Sequence, residues 1–156
     1  MGGASNSGGR VLRHFFPVEA IERLSAHLPL PQPTGLDYYP LLKAGERFPV
    51  HDPHWPPRLT PRPADDAIFL QGLMEGLATI ERLGYEALAA QGAPYPTRVI
   101  TLGGGGRNRA WQVIRAGILG VSVTTARVSA AAGVARLAQT ALRSSHKTRT
   151  RAAPPL

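Results

Sequence analysis

The residues best suited to chemistry lie between Val99 and Ile114, where the chain reads VITLGGGGRNRAWQVI. Four adjacent glycines let the main chain come within hydrogen-bonding reach of a ligand, and a helix opening just beyond them presents unpaired N–H groups and the positive end of its dipole. A phosphate or another anion suits such a junction. A lysine-bearing nucleoside-triphosphate loop would end Gly-Lys-Ser/Thr, whereas these glycines run into Arg107 and Asn108. A dinucleotide fingerprint would need glycine at Asn108 and an acidic residue about 20 positions on, and no Asp or Glu follows Glu86. What remains is a nucleotide site made from the backbone amides of Gly103 to Gly106 and the carboxamide of Asn108. A turn without a ligand would need only one or two glycines.

The elements around this loop follow from punctuation and periodicity. Gly2 to Gly9 reads as a flexible entry and Val11 to Phe16 as a short apolar piece. Pro17 opens a helix carrying Ala20, Ile21, Leu24 and Leu28, which the prolines of LPLPQPTG stop. Seven prolines between Leu36 and Pro63 rule out long helices and predict an extended segment. The longest helix is predicted from Ala64-Asp65-Asp66 to about Gln91, with Phe69, Leu70, Leu73, Met74, Leu77, Ile80 and Leu83 on one apolar stripe. Gly72 and Gly76, four apart on it, mark a place where a side chain would obstruct close packing. Then come a buried strand over Thr97 to Leu102, a helix over Arg109 to Leu119, a strand over Val121 to Thr124, and a last helix from about Ser129 to Leu142.

Four further blocks accompany the glycine loop: GGASNSGGRVLRHFF from Gly2, DYYPLLKAGERFP from Asp37, FLQGLMEGLA from Phe69 and VSAAAGVARLA from Val128. Together with GGGGRNRAWQVIRAGILGVSV they resemble, in order and spacing, the second domain of the FGGY carbohydrate kinases, most closely its ribulose and xylulose kinase branch. The likeness runs from about Gly2 to Ala138. It implies an α/β, actin-like (ribonuclease H-like) ATPase domain, a mixed sheet flanked by helices with the proline-rich extended segment added. Residues 1–142 would form the nucleotide-binding domain and 143–156 a basic tail without fixed structure.

By the same resemblance the family moves the γ-phosphoryl of Mg-ATP to a sugar hydroxyl, so ATP and its magnesium are the implied cofactors. Gly104 and Gly105 would approach the α-phosphate or ribose, with Gly103 in the same loop. Asn108 would bond near the adenine or a phosphate, and Gly8 and Gly9 would form a second glycine contact. The catalytic aspartate and most of the sugar pocket belong to the family's first domain, which this chain lacks. An N-terminal kinase domain encoded separately is therefore an expected partner, and the chain alone is expected to be inactive. A truncated, non-catalytic remnant is the alternative. Ser129 stands where the family's closing helix usually begins with Glu.

Composition sets the remaining bounds. At 156 residues the chain is long enough for one domain with a real core. It has no cysteine, no secretory leader and no apolar run of membrane-spanning length, which points to a cytoplasmic protein. All 10 acidic residues lie at or before Glu86, so the second half carries bases without acids. That asymmetry suits an anionic ligand or nucleic acid. Only Tyr95 and Trp111 accompany those bases, too few aromatics for a single-strand stacking surface, which weighs against a nucleic-acid-binding module. His51, Asp52 and His54 fall together among prolines without a third ligand in register, and they read as a surface loop rather than a metal site.

Overall fold

The computed structural model describes residues 2–126. The expected last helix, with Ser129, and the basic tail lie outside them.

Two short helices open the chain, α1 (Gly9–Phe15) and α2 (Val18–Ser25). The first corrects the reading of Val11 to Phe16 as a bare apolar piece: Val11 is buried while Leu12 and Phe15 pack on the core, which is a helical spacing. Pro17 sits at the N-cap of α2 with φ −63°, a value its ring presets, and Glu19 faces the positive end of the dipole. Leu28 falls beyond α2 and still packs against the core.

Helix α3 (Asp66–Ala90) is the central element, close to the expected span. Its N-cap is Asp65, whose carboxylate accepts a hydrogen bond from Ala67 N–H at 2.7 Å. Phe69, Leu70, Leu73, Met74, Leu77 and Ile80 are all buried, so Met74 is core filling. Around Phe69 gather the rings of Phe15, Phe16 and Tyr38, with centroids 5.2, 6.0 and 5.9 Å away. Gly72 and Gly76 explain how the extended segment reaches this helix. A Cβ on Gly76 would stand 2.7 Å from the Tyr38 carbonyl oxygen, and one on Gly72 would stand 2.7 Å from Leu36 Cδ1.

Between α2 and α3 the backbone forms no strand longer than two isolated antiparallel bridges, Tyr39 to Arg58 and Glu46 to Asp52. Asp52 also accepts a hydrogen bond from His54 N–H at 2.7 Å, so that carboxylate organises its own turn.

The C-terminal part is a strand–helix–strand unit: β1 (Arg98–Thr101), α4 (Arg109–Leu119) and β2 (Ser122–Thr125). The strands are parallel, pairing Arg98 with Ser122 through Thr101 with Thr125, and they are the whole sheet among the described residues. In place of a mixed sheet, the described residues form a small parallel one. Gly120, with φ 69°, ends α4 in the left-handed conformation that glycine adopts without strain and turns the chain into β2. The expected buried strand is shorter and only half covered: Val99 is buried and Ile100 is 52% exposed. A run of β-branched residues marks a strand in sequence but does not reveal which of its faces is covered.

Candidate functional site

The glycine loop leaves β1 at its carboxyl end and folds into a single 3-10 turn, Gly104–Arg107, before α4. Gly103 enters that turn with φ 79° and ψ −160°, a conformation open to glycine alone. Gly106 is fixed from two sides, because its carbonyl accepts hydrogen bonds from the Gln112 amide and from Thr125 Oγ1, the latter at 2.6 Å. A Cβ on Gly106 would stand 2.7 Å from Thr125 Cγ2, so the loop lies flush on β2.

Asn108 is the N-cap of α4. Its Oδ1 accepts from Trp111 N–H at 3.0 Å, and its Nδ2 donates to Ser25 Oγ at 2.8 Å, tying α4 to the end of α2. The structure thus uses most of this carboxamide to cap a helix and hold two elements together. The first two N–H groups of α4, on Arg109 and Ala110, meet no acceptor among the described residues.

A cleft of about 1240 Å3 opens beside the loop. Gly8, Gly9, Gly105 and Asn108 all border it, so two glycine groups nearly a hundred residues apart in sequence share one cavity. Gly103 stays outside its wall and shapes the turn, while Gly104 opens the 3-10 turn. Arg13, Arg107 and Arg109 also border the cleft, and none makes an ion pair among the described residues. Residues 127–156 contain no Asp or Glu that could neutralise them. Among the described residues the cleft therefore offers N–H donors and three cations without partners, an arrangement suited to a polyanion. These arginines were legible only as part of a general basic excess. Arg107 and Arg109 flank Asn108, and that adjacency was the available signal.

An ion pair between α3 and α4 also borders the cleft. Arg115 grips Glu81 with two parallel bonds, Nε to Oε2 at 2.7 Å and Nη2 to Oε1 at 2.6 Å. Its third nitrogen donates to Thr101 Oγ1 at the end of β1, and its guanidinium lies 5.3 Å from the centre of the Trp111 ring. Tyr85 donates to Glu81 Oε1 at 3.2 Å; burial first, and then the charge of Glu81, push its phenol above the ordinary value.

The entry segment, expected to be flexible, is instead bound down. Glu46, only 3% exposed, accepts from Ser5 Oγ at 2.7 Å, Asn6 N–H at 2.7 Å, Arg47 N–H at 2.9 Å and Tyr39 OH at 3.0 Å. Small polar residues between glycines resemble a linker in sequence, and their partner lies some forty residues away. Burial pushes the Glu46 carboxyl up, but the hydrogen bonds from Asn6, Ser5, Tyr39 and Arg47 outweigh it and hold the group below its ordinary value of 4.5. Because Glu46 ionises more readily in the folded chain than in the unfolded one, its contribution to stability is complete above about pH 4.5 and is lost as pH falls through the lower folded value. Thermal melts across pH 3 to 7 are expected to fall more steeply below about pH 4.5 for the native chain than for Glu46→Gln. Parallel curves would show that this carboxylate gains nothing on folding.

The family model for the C-terminal domain of the FGGY family of carbohydrate kinases matches residues 9–142. The chain belongs to that family. The match covers the glycine loop and the four helices that border the cleft, and it implies an actin-like ATPase fold; the described residues are mixed helix and strand with a small parallel sheet. The FGGY domain is a carbohydrate-kinase domain, and ATP is the ligand such a domain implies. Among the described residues no helix is long and apolar enough to cross a membrane.

Proposed function

We propose that this FGGY domain holds the triphosphate of Mg-ATP in the cleft between Gly8-Gly9 and the Gly103–Asn108 loop, as the nucleotide-binding half of a carbohydrate kinase. The observation that carries this reading is the convergence on one cavity of both glycine groups with the N–H donors of Arg109 and Ala110 and three arginines, all unpaired among the described residues. The cavity lies at the carboxyl end of a parallel strand, where open α/β sheets bind ligands. Arg107 and Arg109 neutralise the phosphates, and Gly105 borders the same cleft beside the Trp111 ring. Leu12, Ile21 and Leu77 give the same cleft an apolar wall for the base. Magnesium fits as a companion of the nucleotide rather than as a protein-held ion, since no group of three acidic or histidine side chains forms a metal cage among the described residues. Bound there, the ion would neutralise phosphate oxygens during transfer.

The acceptor in this proposal is a ketopentose of the ribulose or xylulose type, and the base that takes its proton comes from an N-terminal kinase domain on a separate polypeptide. The setting is the cytoplasm. Glu22 and Glu81 are the carboxylates bordering the cleft, and Glu81 is engaged by Arg115. Calorimetric titration of the chain with Mg-ATP is expected to show one saturable site, while a coupled assay with ribulose or xylulose shows no turnover. Absence of ATP binding, or tighter binding of duplex DNA that weakens steeply with salt, would contradict the proposal.

A further inference from the structure

Three consecutive polar residues just before Gly8 are each fastened to the segment 39–47. Ser5 Oγ and Asn6 N–H donate to the two oxygens of Glu46, Asn6 Nδ2 donates to the Gly45 carbonyl at 3.0 Å, and Ser7 Oγ donates to the Pro40 carbonyl. Arg47 closes the ring from outside, with Nε donating to Asn6 Oδ1 at 2.7 Å. Glu46 itself is held by Tyr39 and by the N–H of Arg47, so it is a fixed post rather than a mobile side chain. Past this fastening the chain reaches Gly8, whose φ of 151° and ψ of −170° suit glycine alone, and then α1 begins. Ser5, Ser7, Gly8 and Gly9 all border the cleft, whereas Glu46 does not.

We infer that Glu46 is the positioning residue of the nucleotide cleft. It touches no ligand, and it sets where the Gly8-Gly9 wall stands by anchoring Ser5 and Asn6. A buried carboxylate suits this task because it accepts five hydrogen bonds at once, two from the entry segment and three from its own segment, the longest from Phe48 N–H at 3.5 Å. Among the described residues, the other side-chain hydrogen bonds that tie the entry segment to residues 40–47 are made by the Asn6 side chain, with Gly45 and Arg47, and by the Ser7 hydroxyl. A pre-set wall spares the ligand the entropy of ordering it. The inference rests on the nucleotide reading given above.

The test compares the native chain with Ser5→Ala and Leu70→Val, measuring Mg-ATP affinity by calorimetry, melting temperature, and hydrogen exchange of the amides from Gly8 to Leu12. Ser5→Ala removes the hydrogen bond to Glu46 and the one that Ser5 Oγ accepts from Ser7 N–H at 2.9 Å, while Leu70 is a core residue outside the cleft. The expected result is an Mg-ATP affinity about fivefold weaker for Ser5→Ala, within what the loss of its two hydrogen bonds can supply, with faster exchange from Gly8 to Leu12. Leu70→Val is expected to melt lower with its affinity and that exchange unchanged. Affinity that merely follows melting temperature in both variants, or an unchanged affinity in Ser5→Ala, would overturn the positioning role. Should the native chain bind no Mg-ATP, the nucleotide reading falls and the role in binding with it; exchange in Ser5→Ala then decides whether Glu46 anchors the wall at all, unchanged rates meaning that it does not.

Discussion

Gly76→Ala is expected to destabilise the domain by about 2 kcal/mol net, lowering its melting temperature by roughly 4–8 °C. The sign is the informative part. In an unobstructed helix interior the same replacement is worth about 1 kcal/mol in the opposite direction, because alanine forms helix better than glycine. At Gly76 the new Cβ would stand 2.7 Å from the Tyr38 carbonyl oxygen and 2.9 Å from Pro40 Cδ. Main chain cannot swing aside as a side chain can, so α3 and the extended segment would have to separate, and overpacking of that kind costs about 1–3 kcal/mol or more. Gly72, whose nearest neighbours are the side chains of Leu36 and Tyr38, should tolerate alanine better. A thermal melt of Gly76→Ala that rises above the native value would show that the two segments do not meet as described.

Arg115→Met is expected to cost about 3 kcal/mol, since it strands the Glu81 carboxylate against α4 with one of its two partners gone. Arg115 is almost wholly buried, with its side chain 8% exposed, while Glu81 retains 23%, so the loss should fall at the lower end of that seen for buried pairs. Replacing both members, Arg115→Met with Glu81→Leu, should recover most of the loss because no charge is then left uncompensated. A denaturant series on the two single variants and the double variant measures the coupling directly. A double variant no more stable than Arg115→Met would mean that the pair does something beyond compensating its own charge, for instance through the bond to Thr101 at the mouth of the glycine loop.

What sequence alone revealed about this FGGY domain, and what it hid, follows physical lines. Helix α3 was legible nearly to the residue because its signals are local: two carboxylates at its start and a long apolar stripe. The strand–glycine–helix junction was legible for the same reason, as was Gly120. Helix α1 was missed because glycines and bases crowd its start and its seven residues give periodicity little room. The binding-down of Gly2 to Gly9 was missed because it depends on Glu46, a contact that closes over forty residues and leaves no local mark. Asn108 was singled out as a ligand contact, whereas its visible job is to cap α4 and reach Ser25, and a cap and a ligand contact look alike in a string of letters. The arginines around the cleft were counted as charge without being placed, since which bases share a cavity is a tertiary fact.

The central claim is that two separate glycine groups and their neighbouring arginines form one nucleotide cleft. Amide chemical-shift mapping of the isotopically labelled chain during titration with Mg-ATP tests it most directly. The largest shifts are expected at Gly8, Gly9, Gly105, Arg109 and Ala110, moving together with a single affinity. Shifts concentrated instead around Glu75, Gly76 and Thr79, which border a smaller cavity of about 430 Å3, would contradict the account, as would no shifts at all.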